Sequence, residues 1–171
     1  MRSISLSFAS IALVALLVPA AAQQRAYPEG GAPGPNAVGD PLLRIYKVSG
    51  IRDNGGGSES GVATSFHCTS FSTVNETLRI GVRNFNATIA GARTVTIAPN
   101  RTMTISTHAT RGFTEDAIIS PGVLINQGSA EIQATSVSVF CSVMIVDAST
   151  NNGQGIALHL VRFNAIPATE E

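Results

Sequence analysis

The chain has no tryptophan and a single lysine, Lys47. The other ten of its 11 basic residues are arginines, scattered singly along the sequence. There is no basic block, and so no electrostatic footprint for nucleic-acid binding. No amphipathic basic helix points to a membrane surface either. Charged residues make up 13% of the chain, about half the usual share of globular domains. The polar surface must therefore come from Ser, Thr, Asn and Gln. Such a surface repels copies of itself weakly, and edge strands without lysines are poorly guarded against pairing. A protein partner or a second copy of the chain is the expected contact.

Catalytic and metal motifs are scarce as well. The three histidines, His67, His108 and His159, form no HxH or HxxxH pair, so they are candidate metal residues without a local zinc signature. No Gly-x-Ser-x-Gly turn is present. Ser58, in Gly-Gly-Gly-Ser-Glu-Ser, comes nearest to a serine nucleophile, and its context is a loop. Glu59, Glu115 and Asp116 fall in expected loops, where lone carboxylates are usually solvated. Asp53-Asn54-Gly55-Gly56-Gly57 resembles the start of a calcium loop but lacks the spaced oxygen ligands and the closing acid. No cofactor, metal or catalytic set is expected from these residues. Asn75, Asn86 and Asn100 each open an Asn-x-Thr glycosylation pattern.

What the chain does have begins at its start. Met1-Arg2-Ser3 precedes an apolar run around Ile11–Val18, Pro19 breaks the run, and Ala20-Ala21-Ala22 follows. This is the pattern of a secretory signal peptide over residues 1–22. The run is shorter than the roughly 20 residues that span a bilayer, so no membrane span is expected after cleavage. The location expected is the periplasm or the outside of a bacterium. Removing Arg2 leaves ten basic against 11 acidic residues, a mature net charge of −1. Residues 23–41 are rich in Pro and Gly and read as a flexible leader. Residues 168–171 read as a frayed tail.

Between them, residues 42–167 show period-2 alternation and no helical period. The strands expected are Leu42–Ile51, Gly61–Thr69, Thr77–Phe85, Thr94–Ala98, Thr102–Thr107, Ser129–Thr135, Val137–Asp147 and Ile156–Phe163, with a less regular stretch at Phe113–Gln127. About eight or nine short strands with turn signals between them make an all-β, two-sheet antiparallel sandwich. Both cysteines fall in this domain, and an exported chain with an even cysteine count pairs them. Cys68 shares a strand face with Val62 and Phe66, and Cys141 shares one with Val139 and Val143. Both sulfurs should therefore point into a core, which predicts a buried bridge between the two sheets. Closing a loop of about 72 residues is worth about 4 kcal/mol.

A cysteine on an early strand, an alternating apolar strand, and a cysteine on a late strand resemble the immunoglobulin-like sandwich of bacterial exported domains, over roughly Gly61 to Phe163. The stretch Thr94–Thr107 resembles the paired strands of such domains too. The chain departs from antibody-type domains in having no Trp after Cys68, and Val139 where a Tyr would precede Cys141. The resemblance implies an architecture and no chemistry. The function expected is a non-catalytic exported module for structure, adhesion or protein contact. The alternatives are a binder of a small ligand or metal and, third, a hydrolase with a dispersed site. Convergence of His67, His108, His159, Glu115 and Asp116 on one pocket would favour the alternatives.

Overall fold

A computed structural model describes residues 42–54 and 57–163. The signal peptide, leader and tail expected above, and residues 164–167 of the expected domain, lie outside the described residues. The described chain has strands and turns and no helix, so no helix there is long and apolar enough to cross a membrane.

Ten strands form two five-stranded sheets. They are β1 (Leu43–Asp53), β2 (Val62–Ser70), β3 (Glu76–Asn84), β4 (Ile89–Ile97), β5 (Thr102–Ser106), β6 (Ala117–Ile118), β7 (Ile125–Ala134), β8 (Val139–Asp147), β9 (Gly155–Ala157) and β10 (Leu160–Arg162). One sheet, here sheet A, runs β10-β1-β7-β3-β4; the other, sheet B, runs β6-β5-β2-β8-β9. Every pairing is antiparallel except β5 with the two-residue β6. Alternation explains the core: Leu78, Ile80 and Val82 of β3 are buried, as are Phe66 and Cys68 of β2 and Val139 and Val143 of β8. They meet Ile45, Val48 and Ile51 of β1 and Ile132 of β7 in one cluster between the sheets. Strands with one apolar face close over each other because burying that face removes it from water.

Four expectations need correction. The disulfide forms, but it does not join the two sheets. Cys68 and Cys141 stand opposite each other in the ladder between β2 and β8, 4.1 Å apart at Cα, so the bridge crosses neighbouring strands of sheet B. Parity showed which way the sulfurs face and could not show which strands are neighbours. Cys68 is fully buried, and Cys141 packs against the same core partly exposed. Second, the expected last strand is two: β9 pairs with β8 in sheet B and β10 with β1 in sheet A, so the chain changes sheet at Leu158-His159. Third, β4 begins at Ile89, five residues before the expected Thr94. A register shift opposite Val82–Arg83 hides the alternation there. Fourth, β8 is less buried than its composition suggested, since Phe140 and Ser142 face solvent.

With the bridge inside one sheet, a buried hydroxyl links the two sheets. Thr64, fully buried on β2, accepts a hydrogen bond at Oγ1 from the Arg52 amide of β1 (3.0 Å) and donates one to the Arg52 carbonyl (2.7 Å). Within sheet A, Glu76 of β3, 3% exposed, accepts hydrogen bonds from the Thr135 and Ser136 hydroxyls just past the end of β7. Burial favours its neutral form, but these bonds and one from Ser72 hold its carboxyl below the usual range.

Two stability outcomes are expected. Replacing both cysteines by alanine should cost about 4 kcal/mol in urea unfolding, while the far-UV spectrum stays that of a folded sheet. Thr64→Val should cost about 1 kcal/mol by the same measurement, because it removes both part-buried hydrogen bonds to the Arg52 backbone.

Candidate functional site

The segment from Thr107 to Pro121 leaves β5, passes over the outer face of sheet B, and returns as β6. Backbone bonds fasten it: the Arg111 amide donates to the Ala148 carbonyl (2.9 Å), and the Asp116 amide donates to that of Thr104 (2.8 Å). A Cβ on Gly112 would stand 2.7 Å from the Gly153 backbone, so the close approach there requires glycine. Phe113 next to it packs with Met144 over a second, smaller cluster of Ala63, Val146 and Ala148. Below this cover lie Ser65 and Ser106, both fully buried, with their hydroxyls 2.7 Å apart.

A cavity of about 420 Å³ opens between this segment and the β1–β2 turn. Asp53, Ser58, Thr107, His108, Ile118 and Ser120 are among its walls. Asp53 ends β1 on the buried side of the strand, 3% exposed. His108 Nδ1 lies 2.9 Å from Asp53 Oδ2, and Nε2 lies 3.0 Å from the Ser60 carbonyl oxygen. A carbonyl only accepts, so Nε2 donates to it; a carboxylate only accepts, so Nδ1 donates as well. The geometry fits an imidazolium with both nitrogens engaged. The Asp53 hydrogen bond is the main cause that lifts the His108 pKa; burial opposes it, and the charges of Asp53 and Glu115 add to the rise.

His67 has the opposite environment. Its ring stands edge-on to Phe113, with centroids 4.6 Å apart. Nδ1 is 3.1 Å from Thr104 Oγ1, and Nε2 is buried without a hydrogen-bond partner among the described residues. Burial pushes its pKa down, with Glu115 pulling weakly the other way. His67 thus stands on the outer face of β2, opposite in parity to Cys68, and is partly covered by the 107–121 segment.

The remaining candidates have structural partners. Glu115 accepts from the amide and hydroxyl of Thr110 (2.9 and 2.6 Å), and Asp116 accepts from the Thr104 amide (2.8 Å). Glu59 pairs with Arg111 at 3.2 Å, both half-exposed. His159 is exposed at the change of sheet, away from the cavity walls. The fold therefore brings Glu115 within electrostatic reach of both His67 and His108 and leaves His159 away from the cavity walls. Among the described residues no group of three or more His, Cys, Asp or Glu side chains could hold a metal ion. Ser58 shares a cavity with His108 and Asp53, but His108 Nε2 is turned to the Ser60 carbonyl, so no serine–histidine–aspartate relay is formed. In the sequence Asp53 stands out only as the start of a calcium-loop-like stretch; its spacing of two from buried Ile51 was the signal for its place on the inner face.

No family model and no curated protein matches the chain. Among solved structures, Thermotoga maritima 1070 is similar at a TM-score of 0.40 and 14% identity, covering 71% of this chain and 90% of that one. At that level the likeness transfers neither fold nor activity.

The two histidines set opposite limits on stability. His108 has a folded pKa above its unfolded value, so its contribution is full below the unfolded value and is lost as pH rises through the folded one. His67 has a folded pKa below its unfolded value, so its neutral burial costs stability as pH falls through the region between them. Urea midpoints should therefore peak between the two titrations and fall on both sides. His67→Gln should remove the loss on the acid side of about pH 6.5, and His108→Gln the loss on the alkaline side.

Proposed function

We propose that this chain is an exported, non-catalytic module that works through contact between copies of itself, made along the free edge of β4. The observation that carries this reading is the inequality of the four sheet edges. Sheet B ends in β6 and β9, of two and three residues, and sheet A ends at one side in β10, of three. Short edge strands offer little for another chain to pair with. The fourth edge is β4, with nine residues and one charge, Arg93. Among the described residues no strand pairs with its outer side.

The surroundings of β4 favour a second copy as the partner. The Gly122 amide donates to the Ala90 carbonyl (3.2 Å), which sets Val123 and Leu124 beside the start of the strand. With Ile89 these side chains are 43–56% exposed and form an apolar shoulder next to a backbone edge. Without Arg2 the mature chain carries ten basic against 11 acidic residues, a net charge of −1, so two copies meet with little long-range repulsion. Antiparallel pairing centred on Thr94 would set Thr94 against Thr94, Ala92 against Thr96 and Arg93 against Val95, with no charge opposed to a like charge. The cross-strand disulfide supports export, since such bonds persist in oxidising compartments. The immunoglobulin-like resemblance supports this reading only as an architecture of two packed sheets.

Light scattering and sedimentation over a range of concentrations test it. The expected result is a dimer that Thr94→Lys with Thr96→Lys converts to monomer, with the circular-dichroism spectrum unchanged. A monomer at all concentrations, or a dimer indifferent to the two lysines, overturns pairing through β4.

A further inference from the structure

We propose that His108 is a doubly protonated latch that holds the 57–60 turn closed over the cavity, and that losing one proton releases the turn. This goes beyond the pairing of copies and does not depend on it. The cavity wall is built in part from that turn, through Gly57 and Ser58. The turn joins β1 to β2, and both of its ends are tied at the strand ends: the Asn54 amide donates to the Val62 carbonyl (3.1 Å), and the Ala148 amide to the Gly61 carbonyl (2.7 Å). The middle is tied to the 107–111 segment instead. The Glu59 amide donates to the Ala109 carbonyl (2.8 Å), Arg111 meets the Glu59 carboxylate at 3.2 Å, and His108 Nε2–H meets the Ser60 carbonyl at 3.0 Å. Glu59 takes a positive φ of 57°, a backbone conformation that a non-glycine residue holds only when its surroundings impose it.

The chemistry of the ring decides which tie fails first. A neutral imidazole has one N–H, whereas His108 faces two acceptors that have no proton to give. The bond to the Asp53 carboxylate is charge-assisted and nearly buried, so the single proton of the neutral ring stays on Nδ1. Nε2 then presents a lone pair to the Ser60 carbonyl oxygen, and that contact becomes repulsive. The turn loses the part-buried tie from His108, while the Glu59–Ala109 backbone bond stays and the half-exposed Arg111–Glu59 pair is screened by water. The charged groups around the ring are Asp53 from β1, Glu115 from the covering segment, and the Glu59–Arg111 pair from the turn and that segment. The nearest of these are acidic, so the cation persists to a higher pH than in a solvated histidine. The device is closed in acid and opens as pH rises.

Two measurements on the wild-type chain test this over about pH 5 to 9. Long-range ¹⁵N–¹H correlation reads the protonation state of His108. Amide-exchange protection factors, which remove the intrinsic pH dependence of exchange, read the Glu59 amide. The expected result is an imidazolium with two N–H groups at low pH and an Nδ1–H tautomer at high pH. Glu59 protection should fall about tenfold across the same midpoint. Asp53→Asn should move both transitions to lower pH together, and His108→Gln should abolish the step in Glu59 protection. A ring that is neutral throughout, or a Glu59 amide whose protection ignores the His108 titration, overturns the latch. Loss of folding in either variant leaves the two wild-type titrations decisive by themselves.

Discussion

Sheet B hangs on the nine-residue ladder between β2 and β8, and most of what is distinctive in the molecule is attached to β2. Its inner face puts Phe66 and Cys68 into the core, and the cross-strand disulfide fixes its register against β8 at one rung. Thr64 on the same face reaches across to the Arg52 backbone and ties sheet B to sheet A. The outer face carries Ser65 and His67, which the 107–121 segment covers. A slip of β2 by one residue would exchange these faces and put His67 where Cys68 stands. The disulfide, one rung from His67, opposes that slip directly.

The histidines show how position decides chemistry in a chain with few ionisable groups. His67 and His108 both feel Glu115, yet burial favours the neutral form of one while a buried carboxylate favours the charged form of the other. The difference lies in the second partner. His67 meets a hydroxyl and the ring of Phe113, neither of which favours a cation as a carboxylate does. His108 meets Asp53 and a carbonyl, which together require two donors. Such saturation suits a structural or gating role better than general base catalysis, which needs a nitrogen free to take a proton. With charge so sparse, three sheet edges are protected by being short, and among the described residues no strand pairs with the outer side of β4.

The expectation of strands was sound wherever alternation was clean, as along β3, where Glu76, Leu78, Ile80 and Val82 are buried and the residues between them are not. It weakened where a bulge or a glycine broke the period. β4 starts beyond a register shift, and β7 starts at Ile125 with Gly128 pressed against the Arg83 carbonyl. A Cβ there would come within 2.6 Å of that oxygen, so the residue that interrupts the sequence pattern is the one that the sheet requires. The change of sheet at Leu158-His159 left no mark in the sequence, because both flanking pieces keep their apolar composition.

By itself the sequence determined the all-β class, the pairing of Cys68 with Cys141, and the inward face of the strands that carry them. Those follow from local rules: period, cysteine count and turn residues. Only the tertiary structure decided that the two cysteine strands are neighbours in one sheet, that Asp53 meets His108 across 55 positions, and that His67 is covered. Parity gives the face of a residue but carries no information about which strand lies beside it. Adjacency is set by how the whole chain minimises exposed apolar surface and unpaired backbone, and no segment holds that information alone.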